Sequence, residues 1–226
     1  MKVLPLLLLG AITIHLQGAA PSIGTTNVSP ITAIVGTPTQ VTVQASITNP
    51  SLIPGSVNLL QVNLNGTTTI LGTLHDDGVN GDAYAGDLVF TFVAALNEPQ
   101  ESQVQLQVSA AFKGVLQRVK SPIINVFFQA ANAPQQAIAA LAQNLVSGNT
   151  TLALNYVAPS EYSTITTLTQ QGLNTLASML TNAVLVGSQG DLRIFRSPFV
   201  TPSGATTMVE LTMVPGPNGQ WVINSW

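Results

Sequence analysis

Apolar and polar residues alternate with a period of two through the first half of the chain, from Thr25 to about Val126. Three runs show the alternation most clearly: Val41–Ile47, Val104–Ala110, and the set Leu60, Val62 and Leu64. This period is typical of strands with one buried and one solvated face. Pro, Asn, Gly and Ser separate the runs and favour turns. The pattern predicts about seven short strands that form a two-sheet β-sandwich.

The spacing becomes helical after Val126. A small polar linker over 129–133 leads to Pro134, which can open a helix at its first turn. Three helices are predicted from apolar residues at helical spacing: one through Ile138, Leu141 and Leu145; a short one that Asn149 caps, through Leu152 to Tyr156; and one through Ile165, Leu168, Leu173, Leu176 and Leu180.

A period of two returns after the predicted helices. One strand contains Leu192, Ile194 and Phe199, and a second alternates around Glu210. Pro217-Asn218-Gly219 then forms a hairpin turn into a strand that begins at Trp221. Three helices followed by an antiparallel sheet predict an α+β unit over 134–226.

The first twenty residues have the three-part layout of a secretory signal peptide. Lys2 provides a positive head, Val3–Ile14 is an apolar run, and Gly18-Ala19-Ala20 is a tail of small residues. The run is shorter than the roughly 20 apolar residues that span a bilayer. We therefore expect export after removal of residues 1–20, with no transmembrane anchor in the mature chain.

The amino-acid composition indicates the compartment of the protein and excludes one class of partner. The chain has no cysteine, which excludes a lipid-attached cysteine, disulfides and thiolate metal sites, and which suits a secreted or periplasmic bacterial protein. With 6 basic residues and a formal charge of -3, it lacks the basic patch that nucleic-acid binding needs. Lys113, Arg118 and Lys120 cluster, and a solvated strand face or hairpin turn explains them.

Four of the 9 acidic residues fall within the thirteen residues from His75 to Asp87. The segment Leu74–Phe90 resembles the motif L-x-D-D-G-x-x-G-D-x-x-x-G-D-G-x-[YF] of bacterial extracellular immunoglobulin-like domains, with Leu88 where the last Gly is usual. The resemblance covers about 25–128 and implies an Ig-like sandwich. Such domains occur in many exported proteins, so the resemblance implies no particular activity.

Two further signatures lie in the second half. Ala139–Leu145 followed by Gly148-Asn149 looks like the opening helix of the NTF2-like, or cystatin-like, cone fold. The run Gly219–Ile223 is similar to its closing strand, Gly-x-Trp-x-Ile. The resemblance implies an NTF2-like domain over 134–226, a fold that can hold a pocket.

Two interpretations of the acidic segment stay open. Calcium binds six to eight oxygen ligands, mostly carboxylates and carbonyls, and the candidate ligands are Asp76, Asp77, Asn80, Asp82 and Asp87. Alternatively, the segment is a glycine-rich connection whose Asp side chains accept hydrogen bonds from nearby backbone amides. His75 adjoins it and is expected at a strand end.

Candidate residues for proton transfer in the cone are Tyr156, Glu161, Tyr162, Asp191, Arg193 and Glu210. Asp191 and Arg193 alternate on a strand and are expected to form a surface ion pair. Glu210 lies among apolar neighbours and would act as a base if it pointed into the cone. The family's pattern of catalytic residues is not met.

The sequence therefore predicts an exported, non-catalytic protein that binds or scaffolds at the bacterial envelope or outside it. Its low charge and its Thr, Ser, Asn and Gln content suit a protein or glycan partner. The alternative is a small-molecule-binding or enzymatic NTF2-like domain on an Ig-like spacer.

Overall fold

The computed structural model describes residues 20–201 and 203–226, so the predicted signal peptide lies outside the described residues except for Ala20. Strands account for 41% of the chain and helices for 20%, which makes this a mixed α and β protein. Among the helices in the described ranges, none has both the length and the hydropathy to cross a membrane.

Among the described residues, the first half contains nine strands in two sheets. One sheet has the order β1-β3-β6, and the other has the order β2-β9-β7-β4-β5 with β8 paired to β7. Every pairing is antiparallel except that of β2 with β9, which is parallel. The strands are β1 (Thr26–Ser29), β2 (Thr32–Ile34), β3 (Thr39–Ser46), β4 (Asn58–Val62), β5 (Thr68–Thr73), β6 (Val89–Leu96), β7 (Ser102–Ala110), β8 (Val119–Lys120) and β9 (Ile124–Gln129).

The two sheets share one apolar core, as the alternation predicts. The inward residues of β3, such as Val41 and Val43, and those of β7, such as Leu106 and Val108, are all fully buried in the same cluster. Burying each side chain of this size contributes about 1.5–3 kcal/mol. The alternation in these two runs therefore identified the buried face correctly.

The prediction for the strand around Leu60 is confirmed only in part, because Leu60 is buried as predicted but the period of two does not hold around it. Leu59 is fully buried in the sandwich core, whereas Leu64 is exposed in the turn after β4. A register shift between Leu59 and Leu60 in the β4–β5 pairing makes both side chains buried. Such a bulge breaks the period of two, and a shift of one residue exchanges the faces.

The second half contains four α-helices and a four-stranded antiparallel sheet in the order β10-β11-β12-β13. The helices and strands are α1 (Ala133–Val146), α2 (Thr150–Ala153), α3 (Tyr162–Thr166), α4 (Gln170–Thr181), β10 (Val184–Gln189), β11 (Leu192–Val200), β12 (Thr206–Pro215) and β13 (Trp221–Ser225). Short 3-10 turns, Leu154–Tyr156 and Pro159–Glu161, lie between α2 and α3.

The third predicted helix is two helices, α3 and α4. Thr169 has an extended backbone, and its hydroxyl accepts a hydrogen bond from the Gly172 amide at 3.3 Å, so it caps a new helix. Asn149 caps α2 in the same way, by accepting from the Leu152 amide, as predicted. The apolar spacing alone did not reveal the break because Leu168 and Leu173 keep the helical period across it.

A second apolar core forms between the helices and one face of this sheet. Leu141 and Leu145 of α1 and Leu180 of α4 are buried against Phe195 and Leu211 of the sheet. This cluster shares no residue with the sandwich core. The second half thus has an apolar core of its own.

The two halves are joined closely. Strand β9 extends to Gln129 and α1 begins at Ala133, so only residues 130–132 connect them. The Glu101 carboxylate accepts a hydrogen bond from the Ala130 amide at 3.0 Å. The Gln129 side chain donates to the Gly219 carbonyl at 2.6 Å and accepts from the Trp221 indole at 2.8 Å. These contacts tie the last strand of the sandwich to the last hairpin of the chain.

Gly219 permits a close approach between the halves. Its φ is +79°, and a Cβ built on it would lie 2.4 Å from the Phe127 ring of β9. Gly190 occupies the hairpin turn between β10 and β11 with φ +54°, but a Cβ there would meet nothing within 4 Å.

We expect Gly219→Ala to destabilise the protein more than Gly190→Ala does. Both alanines adopt a left-handed conformation at a cost of about 1–2 kcal/mol. Only the methyl group introduced at position 219 collides with Phe127, which adds about 1–3 kcal/mol of overpacking. Urea unfolding of the two variants measures the difference. Equal losses of stability would contradict the tight contact between the halves.

Candidate functional site

The acidic loop connects β5 to β6 and begins at the edge of the three-stranded sheet. His75 exchanges two backbone hydrogen bonds with Thr91 of β6, at 3.0 Å and 2.7 Å. It therefore lies at a strand end, as predicted, and extends the sheet by one residue. Gly81 packs over the outer face of β6, where its Cβ position lies 2.8 Å from the Val93 side chain.

Asp76 organises the end of the loop through hydrogen bonds to the backbone. One carboxylate oxygen accepts from the amides of Gly86 at 2.6 Å and Asp87 at 3.1 Å, and the other accepts from the Leu88 amide at 3.0 Å. Carboxylates that accept backbone N–H bonds make charge-assisted, strong interactions. This arrangement is what the structural interpretation of the loop predicts.

The other aspartates of the loop also accept backbone hydrogen bonds. Asp82 is buried and accepts from the Gly78 amide at 2.7 Å. Asp77 and Asp87 each accept from the amide two residues ahead, in Asx turns.

Three of the five predicted calcium ligands converge. Each of Asp76, Asp82 and Asp87 offers an oxygen within 4.8 Å of the others. One hard cation can lie between oxygens at this separation, because calcium binds its ligands at about 2.3–2.6 Å. The donor set of three carboxylates in one glycine-rich loop suits calcium, and backbone carbonyls or water would complete the coordination.

Asp77 and Asn80, the other two predicted ligands, lie on a different part of the loop. Both line a groove of about 750 Å³ between the loop and the edge of β6. His75, Thr91 and Val93 also line this groove. Sequence reasoning missed Thr91, since an isolated Thr in a strand carries no signal.

Asp191 and Arg193 do not form the predicted surface ion pair. The Asp191 carboxylate accepts hydrogen bonds from the backbone amides of Ile31 at 2.8 Å and Thr32 at 3.1 Å, and from the Thr32 hydroxyl at 2.7 Å. Arg193 stacks on Trp221, with its guanidinium carbon 5.0 Å from the ring centroid. Asp191 therefore bridges the two halves, whereas Arg193 makes its contacts within the second half. A period of two along one strand could not reveal partners 160 residues away.

Glu210 does not point into the interior of the second half. Its side chain is exposed and forms an ion pair, at 3.1 Å, with Arg196 of the neighbouring strand β11. The hypothesis of a buried base at Glu210 is therefore wrong. Leu211, the next residue, faces the core instead.

The remaining candidate residues for proton transfer, Tyr156, Glu161 and Tyr162, lie near the helices. Tyr156 packs at the margin of the second core, and Tyr162 is exposed. Glu161 accepts a weak hydrogen bond from the Thr164 hydroxyl at 3.4 Å.

A shallow apolar groove opens beside α1. Its volume is about 400 Å³, and its wall includes Ile138, Ala142, Leu180 and Phe195. Gln135 adds an amide whose carbonyl oxygen is buried and has no hydrogen-bond partner among the described residues. This volume lies within the range of small-molecule pockets, which is roughly 300–1,000 Å³.

The basic cluster is partly structural. Arg118 donates to the hydroxyl and the carbonyl of Ser109, both at 2.8 Å, and also to the Ser56 carbonyl. It therefore fastens the hairpin between β7 and β8 to the segment before β4. Lys113 and Lys120 are exposed.

No family model, curated protein or solved structure matches this chain when it is compared by family model, by sequence and by structure.

We expect Leu88→Gly to raise stability. Leu88 has φ +67°, a left-handed conformation that costs a leucine about 1–2 kcal/mol, and its side chain is largely exposed. Glycine removes that cost and loses about 0.5–1 kcal/mol through chain entropy, so a net gain of about 0–1.5 kcal/mol remains. Chemical denaturation measures it. Leu64→Gly is the matched control, because Leu64 is exposed without a positive φ. A loss in both variants would refute the strain at Leu88.

Proposed function

We propose that this chain is an exported, non-catalytic binding or scaffolding protein of the bacterial envelope or exterior. It would consist of an Ig-like sandwich, an NTF2-like domain and a signal peptide that is removed. The observation that carries this proposal is the use of the polar side chains at the junction. Asp191 and Gln129 hold the two halves together, Arg193 stacks on Trp221 within the second half, and Glu210 lies outside the core.

The strand order supports the Ig-like assignment. If the strands are given immunoglobulin letters in chain order, with β8 left unlettered, β1-β3-β6 is the sheet A-B-E and β2-β9-β7-β4-β5 is the sheet A′-G-F-C-C′. Immunoglobulin folds divide their strands between two sheets in this way, apart from strand D. The acidic loop occupies the place of strand D, between C′ and E. The NTF2-like assignment is supported by a long helix packed on a four-stranded antiparallel sheet that closes with Trp221.

The binding role is tested with isolated envelope material from the source cells. We expect saturable binding of the purified protein, and weaker binding by Asp191→Ala, because both halves together present the contact surface. Thr206→Ala, an exposed change in the same sheet, is the control. Binding that never saturates would overturn the proposal.

We also propose that calcium stiffens the acidic loop. We expect millimolar calcium to raise the melting temperature of the wild type by several degrees, because an ion that binds only the folded state stabilises it. Asp82→Asn should abolish the shift, since Asp82 belongs to the converging set.

Asp77→Asn is the matched control for calcium. It makes the same charge change in the same loop but lies outside the converging set, so most of the shift should persist. No shift in the wild type, or an equal effect of both variants, would leave the loop as a turn held by backbone hydrogen bonds alone.

The groove beside α1 supports a second candidate function, the binding of a small apolar molecule with one hydrogen-bond donor. The buried carbonyl of Gln135 would accept that hydrogen bond. Ala142→Phe should fill the groove and prevent a fluorescent apolar probe such as ANS from binding, whereas Leu152→Phe, which changes an exposed residue outside the groove, should not. Equal fluorescence of both variants would rule the groove out.

A further inference from the structure

Strand β6 is paired along its full length on one side and almost unpaired on the other. All eight of its residues have a partner in β3. On the opposite side, within the described residues, its backbone is paired at Thr91 alone, through the bridge to His75. We call the edge beyond that bridge, Phe92–Leu96, the free edge.

The free edge presents backbone groups in a regular pattern. Thr91 directs both its N–H and its C=O away from β3, towards His75. Because backbone direction alternates along an antiparallel strand, Val93 and Ala95 direct their N–H and C=O groups the same way. Two donors and two acceptors are thus available at the spacing that an incoming strand needs.

The free edge lacks the features that usually keep sheet edges from pairing. Natural edges carry charged residues, proline or a bulge. The sequence of the free edge is Phe-Val-Ala-Ala-Leu, and its register with β3 shows no shift. An edge that is uncharged and regular favours strand addition.

The groove of about 750 Å³ reaches the start of the free edge at Phe92 and Val93, and its lining favours a polar ligand. The Thr91 hydroxyl is buried and has no hydrogen-bond partner in the part of the chain that the structure describes. Gln40, His75 and Asn80 add side chains that both donate and accept hydrogen bonds.

The negative charge beside the groove indicates which kind of segment would bind at the free edge. Of the described residues that line the groove, Asp77 is the one that carries a formal charge at neutral pH, and Asp76, Asp82 and Asp87 lie in the same loop. A basic side chain at the loop end of an added strand would complement this potential.

We propose that the free edge of β6 binds an extended segment of another protein as an added strand, with a Lys or Arg beside Asp77. Main-chain hydrogen bonds would supply affinity, and the acidic loop would set direction. This site deepens the binding role proposed above and rests on it.

A second copy of this chain fits the free edge less well than a basic segment does. Two β6 strands paired antiparallel about Ala94 would bring each acidic loop towards the far end of the other strand, where Glu98 follows. Like charges would then meet at both ends of the pairing, which is unfavourable.

The test is selection of phage-displayed random peptides on the wild-type protein, followed by measurement of affinity and hydrogen exchange. We expect enriched peptides to contain Lys or Arg and to protect the amides of Val93 and Ala95 from exchange. Val93→Pro removes one edge N–H without touching the β3 ladder, and it should weaken binding roughly tenfold or more.

Val93→Thr is the matched control, since it retains the N–H and should retain affinity. If Val93→Pro fails to fold, Ala95→Pro removes the second edge amide in its place. The proposal is overturned if no peptide is enriched, if selected peptides bind the proline variant equally, or if they protect other strands. It is also overturned if the free edge pairs copies of the chain, which sedimentation would detect as a dimer that Val93→Pro dissociates. If the Val93→Pro variant still binds envelope material, the site at the free edge is refuted and the proposed binding role is not.

Discussion

The structure depends on acidic side chains that accept hydrogen bonds from backbone amides that have no strand partner. Of the 9 acidic residues, six accept from backbone N–H groups: Asp76, Asp77, Asp82, Asp87, Glu101 and Asp191. A buried backbone amide without an acceptor costs about 1–3 kcal/mol, and the amides of Gly78, Ile31 and Thr32 are the partly buried ones among these. The few charges of this chain therefore hold turns and junctions in place, and this use explains why they cluster.

The junction applies the same principle between the halves. Asp191 accepts from consecutive amides at Ile31 and Thr32, the point where the chain passes from one sheet of the sandwich to the other. Gln129 and Trp221 add neutral hydrogen bonds, and Gly219 lets the last hairpin approach Phe127. The free edge of β6 and the groove beside α1 lie on halves with separate cores, and the junction holds these two halves together.

The sequence predicted the features that depend on local periodicity. The buried faces of β3 and β7, the helix α1 and the cap at Asn149 follow from spacing and residue type alone. It failed where one residue breaks the period, as at the Leu59/Leu60 bulge and the Thr169 cap. For the candidate site, composition located the acidic loop, but which three carboxylates converge depends on chain reversals at Gly78, Gly81 and Gly86. The partners of Asp191 and Glu210 were out of reach because they lie on other strands.

The contact between Asp191 and Ile31 also has a consequence for how the chain folds during synthesis. It closes a separation of 160 residues, and β2 pairs with β9, almost a hundred residues later in the chain. Contacts of such long range form late, because the chain must close a large loop before they return any free energy. Strand β2 therefore has no partner until β9 has been made, and the amides of Ile31 and Thr32 have no acceptor until Asp191 has been made.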